Sequence, residues 1–115
     1  GDGGKIVSPK TARSQMIGGA VGGIGMSLTE EALIDTKTGK YLTDTLGSYH
    51  VPKNRQVPFI DTWFPDLPDP VINPMGSKGV GEIALIGFSA AVANAVFNAT
   101  GKRPSRLPLK AAQFV

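Results

Sequence analysis

The chain has 115 residues, 41% of them hydrophobic, no cysteine and a formal charge of +3. That length suits one unit with a modest core, and the missing thiol excludes a disulfide framework, a thiolate metal site and a cysteine nucleophile. The 12 cations are spread along the chain and only 7% of residues are aromatic, so there is no basic stripe interleaved with aromatics of the kind a nucleic-acid surface requires. Fifteen Gly and nine Pro are many for an autonomous unit. With the opening Gly1-Asp2-Gly3-Gly4, they make the chain read as a piece of something larger.

Lys5-Ile6-Val7 reads as the end of a strand. Ser8-Pro9 then forms an N-cap and first-turn pair, because a serine hydroxyl can satisfy an orphan N–H and proline's missing donor costs nothing there. A helix is expected over about 9–28, although it must absorb Gly18, Gly19, Gly22, Gly23 and Gly25 at about 1 kcal/mol each relative to alanine. The 18/22 and 19/23 spacings put small residues on one strip, which points to close approach of another backbone or of a flat cofactor. On that argument alanine is tolerated at Gly22 and Gly23 and leucine is not. A dinucleotide fingerprint over 19–25 fails on context, since the glycines lie inside a predicted helix and not in a strand-to-helix turn.

Residues 29–35 and 40–45 flank the polar turn Asp35-Thr36-Lys37-Thr38-Gly39, predicting a β-hairpin over about 29–45. Glu30 and Glu31 are expected to face solvent or a partner. The single histidine, His50, supplies neither a metal site nor a Ser-His-Asp set by itself. Residues 57–64 alternate weakly and predict one more strand, and the three prolines of 65–70 exclude regular structure there. Residues 16–28 are too short to span a bilayer, which takes about 20 apolar residues. Ser89, Asn94 and Asn98 argue that the long apolar stretch after Ile83 belongs in a protein interior.

Gly76-Ser77-Lys78-Gly79-Val80-Gly81-Glu82 opens that stretch. Three glycines in six residues let the backbone take positive φ or approach another molecule closely. The uncharged, Ala-rich run that follows predicts a helix over about 82–100, buried on most of its circumference and ended by Gly101. Glu82 stands at its mouth. A carboxylate there either complements the helix dipole or is an acid held rigidly at a glycine-lined cleft, as a general base must be. The expected fold is α+β: two long helices packed with a small antiparallel sheet made of the hairpin and the 57–64 strand.

Gly76 to Glu82 leading into an Ala-rich helix and Thr100-Gly101-Lys102-Arg103 resembles the C-terminal end of the large, molybdenum-binding subunit of the xanthine dehydrogenase and aldehyde oxidase family. Upstream, Ser8-Pro9-Lys10-Thr11-Ala12-Arg13-Ser14-Gln15 is similar to the family's Asn-Pro-Lys-Thr-Ala-x-x-Gln stretch, with Ser8 in place of Asn. The resemblance covers nearly the whole chain. It implies that residues 1–115 are one segment, the C-terminal part of a molybdopterin-binding domain. Glu82 would be the catalytic base that takes a proton from the oxygen delivered to an aldehyde or N-heteroaromatic carbon. Lys78, Gly79 and Val80 would line the molybdenum–pterin cofactor, with Gln15 close to the pterin and no protein ligand to the metal.

The implied partners are the remainder of the molybdenum subunit, subunits or domains carrying Fe–S clusters and FAD, and a small-molecule substrate, in a cytoplasmic or periplasmic setting. Neither nucleic acid nor membrane is expected. Alone, the fragment should be inactive and self-associate through uncovered apolar faces. The competing possibility is a non-catalytic binding module in which Glu82 only caps a helix.

Overall fold

The structure, a computed structural model, describes residues 1–65 and 67–114. Helix α1 spans Pro9–Leu28. Proline stands at its first turn as expected, but the Ser8 hydroxyl makes no cap bond; instead the Ser8 carbonyl accepts from the Ala12 amide at 2.9 Å and the Thr11 hydroxyl at 3.1 Å. The second helical stretch is interrupted. In place of one helix over about 82–100 there are α2, Ile83–Ile86, and α3, Phe88–Thr100, meeting at Gly87. Glycine is the weakest non-proline helix former, and nothing lies within 4 Å of the position of a Cβ at Gly87 to hold it otherwise.

Both pieces pack on the glycine face of α1, and the distances say which glycines that packing needs. A Cβ on Gly19 would lie 2.8 Å from the Ala84 Cβ and 3.0 Å from the Leu85 amide nitrogen. On Gly23 it would lie 2.4 Å from the Phe88 Cβ. Gly22 would make only a 3.4 Å contact with Leu85, and Gly18 faces open space. One turn further on, the wholly buried Ser27 hydrogen-bonds to the Gly23 carbonyl at 2.5 Å and to the Ser89 hydroxyl at 3.0 Å. A polar contact of this kind helps fix the register of two helices, since the buried Ser27 hydroxyl has no water as an alternative partner.

The tail returns to the same place. The Leu109 amide donates to the Ser27 carbonyl at 2.6 Å, and Pro108 and Leu109 are buried. Lys110 reaches Glu31 at 2.5 Å, and the Tyr49 hydroxyl donates to Glu30 at 2.8 Å, so both glutamates expected at a free surface have partners within the chain.

No strand or sheet forms among the described residues, which overturns the α+β expectation. The chain does reverse at the predicted turn: Asp35 accepts from the Lys37 amide and the Thr38 hydroxyl, and the Asp35 amide donates to the Lys40 carbonyl. Pairing stops at one bridge, Ile34 with Tyr41. Leu33, Ile34, Tyr41 and Leu42 all stay exposed, and two strands with no third strand or helix to cover them are marginal. The strand expected over 57–64 is absent as well; prolines at 58 and 65 bound it and no neighbour offers a ladder. The bridge between Gly4 and Ser77 is the other isolated pairing. The architecture is a helical pair with loops laid around it.

The chain exposes 8435 Å², whereas a compact folded chain of this length exposes roughly 6000 Å². Among the described hydrophobic residues only Ala12, Ala20 and Leu109 are buried, while Phe59, Trp63 and Ile86 are each more than 80% exposed. The stretch Ile83–Thr100 has a mean hydropathy of 1.6 with none of its residues buried. By length and composition alone it would cross a bilayer, but its ladder is broken at Gly87 and α1 packs along it.

Two outcomes follow for the 115-residue chain. Gly18→Ala should raise stability by up to the helix-propensity gain of about 1 kcal/mol, whereas Gly23→Ala, tolerated on sequence grounds, should lower it by about 1–3 kcal/mol of overpacking, both read from thermal melts; equal melts would remove the close-approach argument. The purified chain should also elute from a sizing column above its monomer mass, because an uncovered apolar surface this large seldom stays in water. A sharp monomeric peak without dye binding to apolar surface would contradict that.

Candidate functional site

The glycine loop is held at its start by the N-terminal segment. Gly4 and Gly76 both take positive φ, 58° and 66°, and a Cβ on Gly4 would lie 2.3 Å from the Gly76 carbonyl oxygen, so only glycine fits there. The Gly76 carbonyl accepts two amides, from Lys5 at 2.7 Å and from Asp69 at 3.0 Å, and the Lys78 amide donates to the Gly3 carbonyl at 2.9 Å. Asn73 closes the turn from below, its side chain donating to the Ser77 carbonyl at 2.7 Å.

Lys78 continues this junction with its side chain. Its ammonium lies 2.6 Å from Asp2 Oδ2 and 2.7 Å from Asp69 Oδ2. The hydrogen bonds to Asp2 and then to Asp69 hold the Lys78 pKa above the usual lysine value. Asp2 and Asp69 are both pushed below the usual carboxylate value, first by their bonds to Lys78 and then by backbone amides, that of Gly4 for Asp2 and of Val71 for Asp69. Resemblance placed Lys78 on the cofactor; in the structure its charge is answered by two carboxylates of the chain. Neither aspartate was singled out from the sequence. The Gly-Asp-Gly opening and the Asp69-Pro70 turn are local signals of a backbone-bonding aspartate, but their meeting at Lys78 is a tertiary fact.

Beyond Lys78 the loop is open. A Cβ on Gly79 or Gly81 would meet nothing within 4 Å, while Val80 lies over Gly3. Glu82 is the residue before α2, with φ −96° and ψ 7°, and it makes no side-chain cap bond. Among the described residues its carboxylate has no hydrogen-bond or ion-pair partner, and it is exposed. It opens on a cavity of about 230 Å³ lined also by Ser14, Gln15, Gly18, Gly19, Gly22 and Leu85. A second cavity of about 200 Å³ is lined by Gln15, Lys78, Val80 and Thr11, among others. Gln15, exposed on α1, borders both. The structure thus brings Glu82, Gln15, Lys78 and Val80 to the N-terminal half of α1; Gly79 lines neither cavity. Ser14 is an addition that residue type alone did not mark, and Gly18, already part of the small-residue strip, opens on the same cavity. No group of three or more His, Cys, Asp or Glu suited to a metal ion occurs among the described residues.

Residues 1–58 match the molybdopterin cofactor-binding domain family. The chain belongs to the molybdenum-binding subunits of the xanthine dehydrogenase and aldehyde oxidase family. It is 45% identical over 106 residues to the aldehyde oxidoreductase molybdenum-binding subunit PaoC of Escherichia coli K12, covering 92% of this chain and 14% of that protein. It is 37% identical over 108 residues to the xanthine dehydrogenase molybdenum-binding subunit of Escherichia coli O157:H7, covering 94% and 14%. Among solved structures, quinoline 2-oxidoreductase from Pseudomonas putida 86 superposes with a TM-score of 0.80 at 33% identity, over 91% of this chain and 14% of that one. The chain therefore spans about one-seventh of the length of the relatives it matches.

The Lys78 junction has a definite pH signature. Both aspartates have lowered values, so their contribution is present above the ordinary carboxylate value near 3.8 and is lost as pH falls through the lowered one. Lys78 is raised, so its contribution is present below the ordinary 10.5 and is lost as pH rises through the raised value. Carboxyl-carbon titration by NMR should give midpoints below 3.8 for Asp2 and Asp69, and Lys78→Met should move both upward. Midpoints unmoved by that substitution would show that the ion pairs do not form.

Proposed function

We propose that this chain is the part of a molybdenum hydroxylase that contributes the general base, Glu82, to an active site completed by the remainder of the subunit. The observation that carries this reading is the state of the Glu82 carboxylate: it stands at a helix mouth, makes no cap bond, has no partner in the described chain and opens on the cavity that Gln15 borders. A glutamate kept only as a cap would spend its oxygens on the orphan N–H groups of α2. The names of the relatives support an oxidoreductase acting on an aldehyde or an N-heteroaromatic compound, and the family resemblance implies hydroxylation with oxygen from water.

The residues fit such a cofactor. Backbone at Gly79 and Gly81 and on α1 at Gly18 leaves room where a side chain would intrude, and the Gln15 amide can donate and accept beside it. The molybdenum–pterin group supplies the redox chemistry when bound. This chain's share is to hold a carboxylate that accepts a proton from the attacking oxygen, and to line one wall of a site whose other walls lie elsewhere in the subunit. Fe–S clusters and FAD on other domains or subunits would take up the electrons. The surface beyond that of a compact chain, roughly 2400 Å², is about three times one partner's share of a standard interface. Its apolar character suits burial against the same subunit.

In the complete enzyme, Glu82→Gln should cut kcat at least 10²–10⁴-fold, the usual loss with a general base, while molybdenum content by elemental analysis stays near wild type. Folding should change by no more than the dipole contribution of about 0.3–1 kcal/mol. Turnover within threefold of wild type would remove Glu82 from the mechanism.

A further inference from the structure

We propose that Asp2 and Asp69 are positioning residues for Glu82: through Lys78 they fix the start of the loop that carries it, and Lys78 serves as an internal tie and not as a cation for the cofactor. The inference rests on the reading of Glu82 as the base. The N-terminus and the Asp69 turn, nine residues before the lysine, meet at one ammonium, and each carboxylate is oriented before it gets there. Asp2 Oδ1 accepts the Gly4 amide at 2.9 Å, and Asp69 Oδ1 accepts the Val71 and Ile72 amides at 2.9 and 3.3 Å. Each aspartate then turns its Oδ2 to Lys78.

The same two segments hold the loop through the backbone, since Lys5 and Asp69 both donate to the Gly76 carbonyl. Between Lys78 and the Glu82 carbonyl, which accepts from the Leu85 amide, no hydrogen bond of the described chain intervenes. The lysine is therefore the last polar anchor before Glu82, four residues on. Partly exposed ion pairs contribute little to global stability, so their expected effect is local. The Lys78 and Asp69 side chains are 27% and 30% exposed and Asp2 is 70% exposed, which makes Asp69 the stronger anchor.

The test uses the complete subunit in its complex, with Asp2→Asn, Asp69→Asn, Lys78→Met, Lys78→Arg and the double variant Asp69→Asn/Lys78→Met. Readouts are kcat, KM, molybdenum content and deuterium uptake of peptides covering 1–8 and 76–82. Misplacing a catalytic group by about 1 Å can cost up to about 10²-fold. Asp69→Asn and Lys78→Met should therefore lower kcat by about ten- to a hundredfold, and Asp2→Asn by less, with molybdenum content near wild type and faster uptake over 76–82. The double variant should be no worse than Lys78→Met alone, because both remove the same tie, and Lys78→Arg should recover more turnover than Lys78→Met. If the Asn variants fail to accumulate, Asp69→Glu keeps the charge while displacing it and should lose turnover at normal metal content.

Molybdenum loss confined to Lys78→Met, with Asp69→Asn fully active, would make Lys78 a cofactor ligand and overturn the inference. So would turnover within threefold of wild type for both Asp69→Asn (or Asp69→Glu) and Lys78→Met. Glu82→Gln in the same series separates the two levels. An active Glu82→Gln removes the base itself, whereas an inactive one beside unaffected Asp69 and Lys78 variants removes only the tie.

Discussion

The contact on which the rest of this chain depends is the approach of α2 and α3 to the glycine face of α1. At Gly19 and Gly23 the neighbouring segment sits where a Cβ would be, and that closeness trades helix propensity for contact between backbones. Its consequences run both ways along the pair. Toward the C-terminal end of α1 it brings Ser27 within hydrogen-bond distance of Ser89 and makes the groove on which Leu109 is buried. Toward the other end it sets α2 beside Gly19 and Gly22, which puts Glu82 over the turn of α1 that carries Ser14 and Gln15. The catalytic candidate is thus placed by packing at one end of its segment and by the Lys78 junction at the other.

Such a pair does not make a complete protein core. Two helices in contact along one face bury only that face, and here the buried hydrophobic residues among those described are two alanines and a leucine. The loops do not close over the outer faces and leave Phe59, Trp63 and Val71 exposed themselves. This is the anatomy of an element cut from a larger fold, where one face belongs to the pair and the others belong to neighbours. Membership in a family whose relatives are some seven times longer explains it in kind.

The features legible in the sequence are those fixed by local chemistry. Ser8-Pro9 announced the start of α1, Gly101 the end of α3, and the glycine spacing announced a close approach. Asp35 to Gly39 announced a reversal that does occur. The strands failed because local preference is only half of a strand; the other half is a partner, and neither 29–45 nor 57–64 finds one within the chain. The break at Gly87 was missed because apolar periodicity on both sides of a glycine reads as continuous. For the site, motif resemblance proposed Glu82, Gln15, Lys78 and Val80, which the fold brings to one end of α1, but no spacing in the sequence shows that Lys78 is matched by Asp2 and Asp69.

Glycine has three separate jobs in this chain, and telling them apart bears on function. At Gly4 and Gly76 it permits a backbone conformation, and at Gly19 and Gly23 it permits packing; both demands are satisfied inside the chain. At Gly18, Gly79 and Gly81 nothing in the chain occupies the space a Cβ would take and φ is not positive. The chain's own contacts therefore give no reason for glycine there, although alanine on α1 would favour the helix by about 1 kcal/mol. Gly18 and Gly81 share the cavity of Glu82, and Gly79 lies between Lys78 and Val80, which line the neighbouring one. A requirement for room that the chain does not itself impose is the trace expected of a ligand or neighbouring wall, and here two of these three glycines line the same cavity as Glu82, whose carboxylate has no partner among the described residues.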